Sequence, residues 1–295
     1  DEITKIFNAM PKTTKATFSF VLTSKIGHET IGSTTATATG TLPTALKPAI
    51  TNITLTDSST SIISKFGAFI KNKTKLNYSY AITNATGTTT SSYNLTINGK
   101  TYTAKSGTTN AINNSGTVSY SAYVIDARGR KSETYTKAIT VLDYENPKIT
   151  EFSVIRCDAN GNETNEGAYA KYTVVASISA VNNKNDKTFI IDYKKQADST
   201  WTTWKTYTDG YTLKETSSVL AITTDDAYHF RIRVIDYFND TDTPVSKIQP
   251  LSSAFTLMDI LEDGTGLAFG KVATDSDTFD IGFKQTYLSK DTYVG

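Results

Sequence analysis

The chain has 295 residues and a formal net charge of +1, long enough for two or three domains that each bury a core. Lys and Arg are scattered along it with no basic stripe to neutralise a nucleic-acid backbone, and no run approaches the roughly 18 apolar residues of a membrane span, so neither nucleic acid nor membrane is expected as a partner. With a single cysteine, Cys157, there is no intrachain disulfide, and 17 Tyr among abundant Thr and Ser favour strands over helices: the expected class is all-β.

In chain order, residues 1–46 read as the C-terminal part of an immunoglobulin-like module, with a strand over Ala16–Ser24, a turn at Ile26-Gly27 and a return through Thr30–Thr41. The chain begins with Asp1 and not Met, inside what reads as half a module, as expected of a fragment of a longer polypeptide. Pro43 and Pro48 bracket a short linker into a second module, 47–146, with strands expected over Ile50–Asp57, Lys75–Ile82, Ser91–Ile97, Lys100–Ala104, Gly116–Asp126 and Thr134–Leu142. Asn98-Gly99 is the signal for a tight type I′ hairpin. Pro147 opens a third module, 147–253, with good alternation over Tyr169–Ala180 and Thr188–Tyr193. Residues 254–295 form a short glycine-rich β tail, too small for a core of its own. The architecture predicted is a tandem of immunoglobulin-like β-sandwiches in an elongated array, ending in this tail.

One strand sets the repeat. In Gly116–Arg130, Val118, Tyr120, Ala122 and Val124 alternate with Ser119, Ser121 and Tyr123, the period of a half-buried strand. Tyr228, Phe230, Ile232 and Val234 repeat the inward set, and Phe18, Phe20 and Leu22 read as a third copy, each roughly 100 residues from the next. Gly129 and Gly27 follow their anchors by a turn, and Asn239 takes the equivalent place as the residue most tolerant of a left-handed backbone. Gly264, Gly266 and Gly270 mark further turns in the tail.

Catalytic chemistry has little to use: His28 sits in a hairpin turn and His229 on the outward side of a strand, so neither a Ser-His-Asp site nor a zinc constellation is expected, and no enzyme activity or cofactor is assigned. The glycines from Gly264 to Gly270 fail as a phosphate loop, because Thr265 stands where the first glycine is needed and Val272 where a hydroxyl should hold magnesium. Asp259, Glu262 and Asp263, with Asp275, Asp277 and Asp280, could supply several of the oxygen ligands of calcium, but solvated turns are the favoured reading, and no metal is assigned. Trp201, Trp204, Tyr207 and Tyr211 cluster around an expected hairpin, and flat aromatic faces suit the apolar side of a sugar ring, so these four are the candidate glycan contact. Tryptophans three apart in a strand face opposite ways, which gives at least one of them to the core.

The tail sequence Phe255–Lys271, with Phe279-Asp280-Ile281-Gly282-Phe283, resembles a pattern in tail and minor structural proteins of siphophages that infect Gram-positive bacteria. The upstream modules, with Thr37–Pro43 and the two Val-Ile-Asp strands, resemble the immunoglobulin-like repeats of a siphophage virion family, especially in streptococcal phages. That resemblance implies an extracellular component of the phage tail, at the tip or in a fibre. It would be a spacer that takes part in attachment, with other virion proteins and host cell-wall carbohydrate as partners, and would form a homotrimer through the tail. A bacterial surface adhesin stalk and a carbohydrate-binding module of a cell-wall enzyme are the alternatives.

Overall fold

The computed structural model describes residues 2–254, 258–260, 264–269 and 278–281, and divides into two compact units: Asp1–Tyr144 with Val181–Lys184, and Glu145–Ala180 with Asn185–Gly295. The class is all-β, as read from the sequence. The first unit opens with helix α1 (Glu2–Asn8) and strands β1 (Lys15–Ile26) and β2 (Glu29–Thr41). Then come β3 (Ala49–Asp57), helix α2 (Thr60–Phe66), β4 (Phe69–Ile70), β5 (Lys75–Thr83), β6 (Thr90–Ile97), β7 (Lys100–Tyr102), β8 (Ser106–Ala111), β9 (Gly116–Asp126) and β10 (Tyr135–Leu142). A three-stranded sheet, β3-β5-β8, and a five-stranded sheet, β4-β10-β9-β6-β7, enclose a core in which Leu76, Leu95, Ile97 and Val124 are fully buried. Strand β9 forms because its inward set is apolar at every second position, and Val118, Tyr120, Ala122 and Val124 are all buried. The β6–β7 turn has the expected chemistry, with Asn98 and Gly99 both at positive φ (53° and 73°).

The second unit is a sandwich of β11 (Lys148–Cys157), β12 (Tyr169–Ser177), β13 (Thr188–Lys195), β14 (Thr202–Tyr207), β15 (Thr212–Thr216), β16 (Leu220–Ala221), β17 (Tyr228–Ile235) and β18 (Val245–Leu251). Sheet β11-β12-β15, with β16 also on β12, faces sheet β14-β13-β17-β18. Tyr172, Phe189 and Phe230 are fully buried between them, each contributing about 1.5–3 kcal/mol by leaving water. Strands β19 (Met258–Ile260), β20 (Leu267–Phe269) and β21 (Phe279–Ile281) make a small sheet in the tail.

Three features differ from the sequence reading. Residues 1–46 are a helix and a two-stranded hairpin, and the third copy of the inward set is not inward: Phe20 and Leu22 are 58% and 68% exposed, because among the described residues no second sheet covers β1. Arginines hold the two ends of this segment, and their side chains come from the turn that follows β9. Arg128 donates to the carbonyls of Phe7 (2.8 Å) and Met10 (2.7 Å), and Arg130 to those of Leu42 (2.8 Å) and Leu46 (2.7 Å).

Second, Asn239 does not take a left-handed conformation, whereas Gly27, Gly129 and Gly264 do. Its turn is closed by Asp236, whose Oδ1 accepts from the amides of Phe238 (3.0 Å) and Asn239 (2.8 Å) and from Asn239 Nδ2 (3.0 Å). Asp126 likewise accepts from the amides of Arg128 (3.0 Å) and Arg130 (2.8 Å), so the turn device shared by the two Val-Ile-Asp strands is the aspartate. Third, α2 and β8 interrupt what reads as loop. Gly270 lies outside the described residues.

Candidate functional site

The four aromatic candidates do not share a face. Trp204 points inward, its ring 4.8 Å from Tyr172 in an edge-to-face contact and 6.0 Å from Phe230. Tyr207 packs against the same core, and its hydroxyl is 2.6 Å from that of Tyr172. Tyr211 is anchored by donating to the Asn185 carbonyl (3.0 Å), with Lys187 over its ring at 4.7 Å. The four rings therefore make no common flat platform, and Trp201 alone stands apart from the core. The physical reason is the strand period: Trp204 belongs to the inward set of β14, and the other two rings complete the core around it.

Trp201 belongs to a different constellation, on the outer face of sheet β14-β13-β17-β18. The Arg231 guanidinium lies 4.2 Å from the centre of its ring and the Lys194 ammonium 5.4 Å. Arg231 and Arg233 alternate with the core residues of β17 and so point outward, where both meet Asp192 of β13. Asp192 Oδ2 accepts from Arg231 Nε (3.1 Å) and Nη2 (2.8 Å) and from Arg233 Nε (2.7 Å). Its Oδ1 accepts from Arg233 Nη2 (3.2 Å) and the Thr203 hydroxyl (3.0 Å).

The carboxylate is 1% exposed, while the two arginine side chains keep 23% and 20% of their surface. Burial pushes the Asp192 carboxyl up, but the hydrogen bonds from Arg233, Arg231 and Thr203 outweigh it, and the group ends below the ordinary carboxylate range. Asp192 thus fixes two guanidiniums side by side, and among the described residues the Nη1 of each has no protein acceptor. Preorganised in this way, they suit an anionic ligand.

On the outer face Lys194, paired with His229, adds a third cation beside Arg231 and Arg233, whereas Lys195, Lys205 and Lys247 pair in register with the inward residues Tyr228, Ile191 and Ile232. Lys195 is engaged with Asp226 at 2.7 Å. The scatter of basic residues along the sequence is gathered by the fold. The signal is present in the second Val-Ile-Asp strand, whose outward positions read His229, Arg231 and Arg233 where the first copy has Ser119, Ser121 and Tyr123.

Of the acidic tail residues, Glu262, Asp263, Asp275 and Asp277 lie outside the described residues. Among the described residues no three His, Cys, Asp or Glu side chains come together as a metal site, and no helix is long and apolar enough to cross a membrane. Burial pushes the Cys157 thiol up, away from the reactive thiolate.

The fold is that of a β-sandwich protein, with a charged outer sheet face as its most developed surface. The chain belongs to the family described as "Siphovirus protein of unknown function (DUF859)", whose model matches residues 2–281, and it is therefore a bacteriophage protein. No curated protein matches it in sequence. Among solved structures it is similar to a two-domain fibronectin type III segment of chicken tenascin, at 15% identity over 68% of this chain and 98% of that one, with a TM-score of 0.26. It is also similar to a Ca2+-stabilised, ice-binding adhesin of an Antarctic bacterium, at 14% identity over 85% of this chain and 61% of that one (TM-score 0.38). A carbohydrate-binding module of the β-sandwich superfamily is similar at 13% identity over 70% and 84% of the two chains (TM-score 0.25).

Proposed function

We propose that this protein is a non-enzymatic structural component of a siphophage tail, a sandwich-built spacer that contacts the cell wall of a Gram-positive host. The contact is made through the outer face of sheet β14-β13-β17-β18, and the ligand is wall carbohydrate that carries anionic groups. The observation that carries this reading is the Asp192-held pair of guanidiniums beside Trp201, with Lys194 over the same ring. A ring already stacked on cations offers its apolar body to a sugar while the cations take a neighbouring phosphate or carboxylate. The match to a siphovirus family over residues 2–281 supports the virion reading over a bacterial adhesin stalk.

The test is binding of the whole chain to intact Gram-positive cells and to their purified wall polysaccharide, compared with a Trp201→Ala, Lys194→Glu variant. This variant leaves Asp192 and both arginines in place, so the fold is kept. Saturable binding that weakens with salt and falls at least tenfold in the variant is expected. Binding that is absent, or equal in the two proteins, refutes the reading.

A further inference from the structure

A groove opens beside Trp201 in the second sandwich. Its volume is about 490 Å³, within the ~300–1,000 Å³ of sites that hold small molecules. Thr202, the residue after Trp201, pairs in register with Tyr193, and both line the groove. Lys194 belongs to the groove and to the outer face at once, with its ammonium 5.4 Å from the centre of the Trp201 ring. The groove is therefore continuous with the cationic face, but its chemistry differs. Ile222 and Tyr228 are buried and form the bottom. Tyr193 is half-buried and stacks on Phe230, ring centres 6.0 Å apart, while Asp198 and Thr202 stand exposed at the rim.

Both lysines of the groove already have partners. Lys195 pairs with Asp226 at 2.7 Å, and Lys194 donates to the Asp198 carbonyl at 2.5 Å. The pKa of Lys195 is raised first by Asp226 and, in smaller measure, by Tyr228 and the Asp198 carboxylate, so that carboxylate lies near the same space. Among the described residues no hydrogen bond engages the Asp198 carboxylate or the hydroxyls of Thr202 and Tyr193. A second phosphate or carboxylate entering here meets Asp198 as a like charge. A hydroxylated ring instead brings the donors that a free carboxylate accepts, and an apolar face for Tyr193 and Ile222.

We propose that this groove is a second subsite, for an uncharged sugar ring, of the polymer whose anionic group the Arg231 and Arg233 pair takes. The proposal rests on the reading of that face as a wall-carbohydrate site, and it fixes the order of the ligand: a charged unit and a neutral one, adjacent along one chain. Charge then supplies attraction, and the neutral ring supplies selectivity.

The experiment is titration of the whole chain with purified wall polysaccharide of Gram-positive cells at fixed salt, alongside Asp198→Ala and Thr202→Lys variants. Both side chains are exposed, so the sandwich is kept. Each substitution makes this edge of the face more positive, and an anion held by charge alone then binds more tightly. A sugar ring in the groove reverses the sign, because Asp198→Ala removes its acceptor and Thr202→Lys occupies its space. Binding weakened at least fivefold in both variants is expected. Unchanged or tighter binding by either variant overturns the groove and leaves the cationic face standing. No binding by the unsubstituted chain overturns the reading of the face itself, and the groove with it.

Discussion

Replacing Asp192 by Asn tests whether the outer sheet face is held together by its one carboxylate. The substitution keeps shape and one acceptor oxygen but removes the charge that two guanidiniums share. Breaking a fully buried ion pair costs ~3–5 kcal/mol. Here the acid is buried and the arginines are partly wet, which lowers the expected loss to about 2–3 kcal/mol.

The only two tryptophans, Trp201 and Trp204, both lie in the second unit, so their fluorescence in urea reports that sandwich alone. With a slope of about 1–1.5 kcal/mol per molar for a module of this size, the midpoint is expected to fall by roughly 2 M at neutral pH. The carboxyl of Asp192 lies lower in the folded protein than its unfolded value near ~3.9. Its stabilisation is therefore complete above that value and disappears as pH falls through the folded one. Protonation does to the native protein what Asn does at neutral pH, so the two stabilities must converge in acid. A midpoint shift below ~0.3 M, or a gap that persists in acid below the folded pKa, refutes this account.

Trp204→Ala is expected to cost ~3–5 kcal/mol in the same unfolding measurement, and Trp201→Ala under ~1 kcal/mol; equal losses would contradict the opposite placement of the two rings. Gly87 has φ +75° and its Cβ would lie 2.4 Å from the Phe7 carbonyl oxygen, so Gly87→Ala is expected to undock α1. Hydrogen exchange should then accelerate over residues 2–12 and stay slow in β9; unchanged exchange at the N-terminus would show that the contact is dispensable.

Period-two alternation was enough to locate β3, β5, β6, β9, β12, β13 and β17, because burial on one face writes itself into every second residue. It was blind where burial is carried by polar atoms. Strand β8 has almost no apolar residue, and its one fully inward side chain, Thr109, is 3% exposed and accepts from the Leu76 amide at 2.9 Å. Helix α2 left a fainter trace: Ile62 and Phe66, four apart, are its buried pair, and Gly67 ends it at φ 69°. Alternation also misled at Phe18–Leu22, since the pattern states that one face is apolar but not what covers it. At Asn239 the analogy with glycine failed because the turn is one residue shorter: the Asp236 amide donates to the Asn239 carbonyl where the Asp126 amide reaches that of Arg130, and only the longer turn holds a left-handed residue, Gly129.

Arginine explains why the candidate site was harder to read than the fold. Arg128, Arg130 and Arg156 look no different in sequence from Arg231 and Arg233, yet the first three direct their guanidiniums to backbone carbonyls. Arg156, 6% exposed, reaches four of them: Ser252 at 2.7 Å, Gly167 and Asp226 at 2.9 Å, and Thr223 at 3.1 Å. A guanidinium so occupied is a strut, since its donors are used and its surface is gone. Arg231 and Arg233 instead share one acceptor with each other and keep a fifth of their surface. That difference is set by partners far away in sequence: Asp192 lies 39 residues from Arg231 and 41 from Arg233. Only the pairing of β13 with β17 brings them together, and for that reason the basic face belongs to the fold and not to any one stretch of the chain.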